Sequence, residues 1–278
     1  MTELNISDRV VIITGGAGML GAQYVNTVLS SGGIPIILDI NEKKINQKRA
    51  QLNKEYPDTK FLSIKCDITD IDAVREAREH ILSKYQRIDA LINNANNNAK
   101  FSEYKIGEGN SQWTRFERFP IEIWNQDIAV GLTGAFICSQ VFGQSIALTG
   151  RGVILNISSD LSVIGPDQRL YKLPGLKDDE QPVKPVSYSV VKSGLLGLTR
   201  YLATYWRGSG MRANTISLGG VYTTDLDTEF VARIRNLIPL DRMATLGEYN
   251  AAILFMISDA SQYINGQNIV IDGGRTIW

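Results

Sequence analysis

Histidine is almost missing from this sequence: His80 is the single one among 278 residues. It falls beside Glu76 and Lys84 at helical spacing, which marks a surface position and excludes histidine-based mechanisms and His-ligated metals. Cysteine occurs twice, as Cys66 and Cys138, too few for a disulfide framework and without metal-ligand spacing, so no metal is expected. Both read as inert buried thiols. Excess charge is missing too. With 29 Lys+Arg against 29 Asp+Glu, nothing in the balance favours a nucleic-acid or polyanion partner. The longest uninterrupted apolar run, Ala251 to Ile257, is far short of the roughly 20 residues that cross a bilayer. The opening MTELNISDR does not resemble a signal peptide. A cytoplasmic protein without membrane partners is expected.

What the chain does have is alternation. Short apolar runs at Val10 to Ile13, Ile34 to Leu38, Phe61 to Ile64, Ile88 to Ile92, Gly152 to Ile157, Arg212 to Ile216 and Asn268 to Ile271 predict strands. Between them, helices are expected over Met19 to Ser30, Asn41 to Tyr56, Asp70 to Tyr85, Ile121 to Leu148, Val186 to Tyr205 and Leu246 to Ser258. Strands apolar on both faces, separated by helices, imply an α/β fold with a parallel sheet covered on both sides. With no linker and no repeat, one domain over residues 1–278 is the expected count. Two stretches exceed ordinary loop length, Asn96 to Pro120 and Leu161 to Pro185. Both follow strands, on the edge where open α/β sheets bind ligands. The charged run at Lys177 to Glu180 reads as a solvated loop tip.

The first strand runs into Thr14-Gly15-Gly16-Ala17-Gly18-Met19-Leu20-Gly21 and then a helix. Glycines there let the backbone turn tightly against a pyrophosphate seated on the helix N-terminus. Gly15, Ala17, Gly18, Met19 and Leu20 are therefore candidate cofactor contacts. Asp39 ends the second strand, where a carboxylate accepts hydrogen bonds from ribose hydroxyls and repels a 2′-phosphate, favouring NAD over NADP. The plain alternative is that Asp39 caps the next helix. Asp67, with Ile68 after the third strand, either meets the adenine amine or caps a helix. Asn93-Asn94-Ala95 follows the fourth strand, placing Asn94 and Ala95 against the cofactor or in an ordinary turn.

Tyr188 and Lys192 are four apart at the start of a predicted helix and so share a face. An ammonium there favours phenolate and brings a tyrosine, normally near pKa 10, towards acid–base work. Ser159 follows the fifth strand. Taken together, Thr14 to Gly21, Asp39, Asn93-Asn94-Ala95, Ser159, Tyr188, Lys192 and the terminal Asn265-Gly266-Gln267…Asp272-Gly273-Gly274 resemble the short-chain dehydrogenase/reductase family over essentially the whole chain. The resemblance implies a single Rossmann-type doubly wound domain with a seven-stranded parallel sheet. It implies hydride transfer between NAD and a carbinol or carbonyl carbon, with Tyr188 as general acid/base. Lys192 would hold the nicotinamide ribose, and Ser159 would hydrogen-bond the substrate oxygen. A homodimer or homotetramer through the long helices is implied as well.

Within the family, the long Ser159-to-Tyr188 interval, the stretch Gly165 to Arg169 and the ending Ser258 to Gln267 are similar to flagellin-modification oxidoreductases of the PtmA type. That implies a small-molecule substrate that is an anionic sugar derivative: an amino sugar, a sugar nucleotide or a nonulosonic acid. Asn96 and Arg169 are the candidate substrate contacts besides Ser159 and Tyr188, and Arg115 and Arg118 can join Arg169 around an anion. Trp113 either packs or stacks on the ligand.

Four positions depart from the family pattern. Met19 stands where the glycine turn usually has its middle glycine. Gly131 replaces the helix asparagine that supports a water chain from the lysine. Leu218 replaces a proline before Gly219 and Gly220, with Val221 and Thr223 still near the nicotinamide. Asn96 replaces the glycine that ends the Asn-Asn-Ala-Gly run. Gly131 and Leu218 keep open a nucleotide-binding partner without turnover, and an oxidoreductase for a small alcohol, steroid or acyl substrate is a further alternative.

Overall fold

Val10 to Thr14 are five consecutive buried residues, and they alternate between two apolar layers. Val10 and Ile12 face one layer, Val11 and Ile13 the other. A strand buried on both faces must lie inside a covered sheet. The computed structural model describes residues 4–97 and 111–278. Its strands are β1 (Val10–Thr14), β2 (Ile34–Asp39), β3 (Leu62–Lys65), β4 (Ala90–Asn93), β5 (Val153–Ser159), β6 (Arg212–Leu218) and β7 (Asn268–Ile271). They form one seven-stranded sheet, parallel throughout, in the order β3-β2-β1-β4-β5-β6-β7. The α/β doubly wound architecture expected from the alternation is therefore present, with its order reversing between β1 and β4. The carboxyl ends at that reversal are where such sheets hold ligands.

The helices are α1 (Met19–Ser30), α2 (Glu42–Glu55), α3 (Ile71–Tyr85), α4 (Ile121–Ile128), α5 (Gly134–Ala147), α6 (Val186–Tyr205), α7 (Thr228–Arg235) and α8 (Asn250–Ile257). Asn41 and Asp70 start α2 and α3 by accepting backbone N–H bonds from the first turn. Tyr24, Val25 and Val28 of α1 and Ile253 and Ile257 of α8 fill one layer. Val74 and Ile81 of α3 with Cys138, Phe142 and Ile146 of α5 fill the other. The stretch from Ile121 to Ala147 is long and apolar enough to cross a membrane, yet half of it is buried here as the central helix of a layer. A π turn at Ala129–Thr133 divides it into α4 and α5, where a continuous helical pattern was expected.

Two differences from the sequence reading concern short elements. Helix α7 was not foreseen: its eight residues make little more than two turns, too short a stretch for a helical pattern to stand out. It packs on Leu170 of the second long loop, together with Ile238 and Met243. Helix α8 begins at Asn250 rather than near Leu246, because Glu248 accepts from Thr245 N and pairs with Arg242 in a turn of its own. The two long loops brace each other: Val183 N donates to Thr114 Oγ1 at 3.0 Å and Arg115 Nη1 to Asp178 O at 3.0 Å. Residues 98–110 of the first loop lie outside the described residues.

Phe142 is fully buried in α5, whereas His80 sits on the exposed side of α3. Phe142→Ala should lower the unfolding free energy by about 3–5 kcal/mol. His80→Ala should stay within about 0.5 kcal/mol. Urea melts measure both, and similar effects would contradict this assignment of the layers.

Candidate active site

At the end of β1, Gly15 takes a left-handed conformation with φ +62°, which a side chain would strain. A Cβ on Gly21 would lie 2.1 Å from Gly15 O, so only glycine lets α1 sit this close to the turn. The N-terminus of α1 has no side-chain cap and no acidic residue in its first turn. Its N–H groups and positive dipole end are thus available to an anion. At the rim of the turn, Asp39 Oδ2 accepts from Ala17 N at 3.1 Å and Oδ1 from Asn41 N at 2.9 Å. That orients the carboxylate and leaves lone pairs for ribose hydroxyls. These residues fit a dinucleotide: a cradle closed to any Cβ, a free helix terminus, and an oriented carboxylate beyond it.

Further along this edge, Asp67 Oδ1 accepts from Thr69 N and Oγ1, closing a turn, while Asp70 caps α3. Ile68 is buried and lies against Gly134. Thr14 joins β1 to β4: its Oγ1 accepts from Asn94 N and Ala95 N, each at 3.0 Å, and Asn94 Nδ2 donates to Thr14 O at 2.9 Å. One residue earlier, Asn93 Nδ2 donates to Asn156 Oδ1 at 2.8 Å, and Asn156 Nδ2 to Thr199 Oγ1 at 2.7 Å.

Ser159 is the last residue of β5, and Tyr188 and Lys192 lie one turn apart on α6. Strand and helix are tied twice. Lys192 Nζ donates to Ile157 O at 3.0 Å, and Ser158 Oγ donates to Lys192 O at 2.8 Å. Burial raises the Tyr188 phenol above its ordinary value, a hydrogen bond with Ser159 acts downwards, and the Asp160 charge acts upwards again. The net direction is opposite to the one expected from the Tyr–Lys spacing, because desolvation outweighs the Ser159 hydrogen bond. Lys192 is itself pushed down to about 8, by burial and then by the neighbouring Lys184 ammonium. Such a cluster can pass a proton between a phenol and a substrate oxygen, with a hydroxyl beside it to hydrogen-bond the same oxygen.

A family profile described as short chain dehydrogenase matches residues 9–171, more than half of the chain. The chain belongs to the short-chain dehydrogenase/reductase family. A second profile, described as enoyl-(acyl carrier protein) reductase, matches residues 180–276. D-threitol dehydrogenase of Mycolicibacterium smegmatis is 29% identical over 99% of this chain and 95% of its own. Post-translational flagellin modification protein A of Campylobacter coli is 25% identical over 97% of this chain and 98% of its own. Among solved structures, a short chain dehydrogenase from Leptospira borgpetersenii with bound NAD+ superposes with a TM-score of 0.81 at 29% identity. That alignment covers 99% of this chain and 96% of the other.

As a short-chain dehydrogenase/reductase, the chain has an unusual α4–α5 helix. A Cβ on Gly131 would lie 2.5 Å from Val191 Cγ1 and 3.0 Å from Asn96 Oδ1. The space a side chain at position 131 would need is thus filled by α6 and by the segment after β4. Leu218 is buried at the end of β6, and a Cβ on Gly219 would lie 2.9 Å from Asp272 Cα. Beyond it Val221 bridges to Ala244, and Thr223 is partly buried.

The arginines do not converge. Arg169 is exposed and doubly bonded to Asp167, two residues away, and Arg115 holds the other loop through Asp178 O. Arg118 is exposed. Trp113 is buried, its ring centroid 5.9 Å from that of Phe119, which makes it a packing residue. Asn96 Nδ2 donates to Asn97 O, and Asn97 Nδ2 to Asp127 Oδ1 at 2.8 Å.

Sequence reasoning missed four charged residues around Tyr188. Asp160 accepts from Ser159 Oγ at 2.7 Å and pairs with buried Arg275 at 2.5 Å. Asp127 accepts from Ser187 Oγ. Lys184 stands with Nζ 3.9 Å from the centroid of the Tyr188 ring, closer than Lys192 at 5.8 Å. No motif marks any of them, although Asp160 directly follows Ser159.

Gly131→Asn, meant to restore the family residue, should instead cost about 1–3 kcal/mol by overpacking and give no gain in turnover. The double variant with Val191→Ala should recover part of that stability. Urea melts and NADH absorbance check both, and a faster single variant would contradict the steric account.

Lys184, like Lys192, is pushed from 10.5 down to about 8, chiefly by burial. The unfolded chain then holds more protons between those two values, so stability rises with pH across that window. Lys184→Met should therefore be more stable than the parent at pH 7, with the gain shrinking between pH 8 and 10.5. Urea melts at pH 7 and pH 10 measure the difference, and an equal gain at both would rule out a buried charge as its origin.

Proposed function

We propose that this protein is an NAD-dependent oxidoreductase acting on a secondary hydroxyl, or the matching ketone, of an anionic sugar derivative. Amino sugars, sugar nucleotides and nonulosonic-acid precursors are the intended class. The observation that carries this reading is the wall around Tyr188. Lys184, the Asp160–Arg275 pair, Asp127 and the Asn96–Asn97 amides are polar or charged, whereas a steroid or acyl chain wants apolar walls. The name of one relative, D-threitol dehydrogenase, supports a hydroxyl-rich substrate.

Asp39, the glycine turn, Lys192 and Gly219 would hold NAD, which when bound would supply the hydride acceptor. Tyr188 exchanges the proton of the substrate oxygen. Ser159 stands beside that oxygen; its hydroxyl proton, given to Asp160 in the empty site, turns to the substrate oxygen when substrate binds. Lys192, anchored on Ile157 O, presents its ammonium to the nicotinamide ribose and favours the phenolate once the proton leaves. Phe136 of α5 and Tyr201 and Tyr205 of α6 are exposed, which supports pairing of two copies through these helices.

The test is NADH absorbance with a panel of sugar acids, amino sugars and sugar nucleotides. Tyr188→Phe should lower turnover by about 10²–10⁴-fold and leave NADH affinity nearly intact. NADPH should bind more weakly than NADH because of Asp39. Retained turnover in the variant would remove Tyr188 from the chemistry, and equal binding of NADPH would remove the role given to Asp39.

A further inference from the structure

We propose that Lys184 is the group that receives the substrate's negative charge: an anchor for a carboxylate or phosphate carried close to the reacting carbon. This rests on the anionic-sugar reading above and says where the anion goes. Lys184 Nζ lies over the Tyr188 ring, 3.9 Å from its centroid, and so stands beside the place where the substrate oxygen meets the phenol. Among the described residues it makes no hydrogen bond or ion pair. The neighbouring carboxylates are already engaged: Asp160 by Arg275 and Ser159, Asp127 by Ser187 and Asn97.

Its backbone is fixed, because Lys184 N donates to Gln168 Oε1 at 2.8 Å and Pro185 follows directly. One residue earlier, Val183 N is held by Thr114. A lysine pinned on both sides, with its ammonium turned inwards over an aromatic ring, does not behave as a solvated surface charge. The arginines that the loops offered are either spent on local partners, as Arg169 and Arg115 are, or exposed, as Arg118 is. An ammonium is a compact charge with three donors, suited to an oxyanion arriving from any side. Burial supports the same reading, since it holds the ammonium at about 8 and leaves it mostly charged at neutral pH. Lys192, Arg275, Asp160 and Asp127 all contribute to the field at this point, so the charge at Lys184 has to be tested by comparing ligands rather than by pH alone.

The experiment uses the full-length enzyme saturated with NAD, as wild type, Lys184→Gln and Lys184→Arg. Each is titrated calorimetrically with threonate, with threitol 4-phosphate and with neutral threitol, and turnover of the same compounds is followed by NADH absorbance. One charge-assisted hydrogen bond corresponds to about 10–100-fold in affinity. Wild type should bind one of the two anions at least ~10-fold more tightly than threitol, and which one shows whether a carboxylate or a phosphate is the natural group. Lys184→Gln should lose that preference, and Lys184→Arg should keep most of it. Absence of any preference in wild type, or its survival in Lys184→Gln, overturns the proposal. Equal losses for the neutral and anionic compounds would place Lys184 on Tyr188 instead of the substrate and overturn it as well. Lys184-dependent anion binding without turnover of these compounds or of the sugar panel would keep the anchor and count against the sugar-hydroxyl reading. Turnover of threitol with no anion preference would do the reverse.

Discussion

The geometry of this site depends on a polar seam that crosses the sheet at its carboxyl edge. Thr14 ties β1 to β4 by accepting two backbone N–H bonds, and Asn94 returns its amide to Thr14 O. Next to it, Asn93, Asn156, Thr199 and Thr215 form a buried chain from β4 through β5 to α6 and β6. Parallel strands present their carbonyl ends side by side, and without cross-links those ends would be free to shift against one another. Buried amides left unpaired would each cost about 1–3 kcal/mol, so a register slip is penalised at several bonds together. The glycine turn, Ser159 and the Tyr188–Lys192 turn are therefore held in one frame although they come from distant parts of the chain.

Charge inside that frame works against the fold. Lys184 and Lys192 keep ammonium groups where burial disfavours them, and Tyr188 is pushed towards its neutral form. Among the described residues around Tyr188, the Asp160–Arg275 pair is neutralised at hydrogen-bond distance, and it also orients Ser159. Partly compensated charges in a cleft are characteristic of sites that stabilise something arriving from outside. The two thiols show the contrast. Cys66 is pushed up to about 11 and Cys138 higher still, both chiefly by burial, and neither faces the site. Desolvation alone makes a group inert, and it becomes useful only beside a group that can trade a proton or a charge.

What could be read in the sequence was whatever is local. The strand runs, the glycine turn, Asp39 and the Tyr188–Lys192 spacing are each written within a few residues, and the structure brings them to one edge. Positions decided by distant neighbours were not legible. Arg169 is an anion ligand on paper, but Asp167 takes the Nε–Nη2 edge of its guanidinium in a bidentate pair. Trp113 lies in a polar stretch, yet Phe119 covers it. Lys184 carries no motif, and its position over Tyr188 appears only when the second loop is anchored through Gln168 and Thr114. Helix α7 is too short for periodicity, and its partner Leu170 is far away in sequence.

Gly131 shows why a departure from a family pattern has to be read in three dimensions. Read from the sequence, glycine replaces an expected asparagine, and a polar group behind the lysine is lost. In the structure, the β-branched Val191 occupies the space on one side, and the amide oxygen of Asn96 reaches the other from the end of β4. The π turn over Ala129–Thr133 widens the helix at the same level, which brings Gly131 against α6 with no room for a side chain. Asn96 is itself a departure, standing where the family has a glycine. The two departures meet in space: a side chain is missing from the helix, and one has been added at the strand end that faces it. An argument from either position alone would predict a defect, whereas together they leave an amide oxygen at the same junction of β4, α5 and α6.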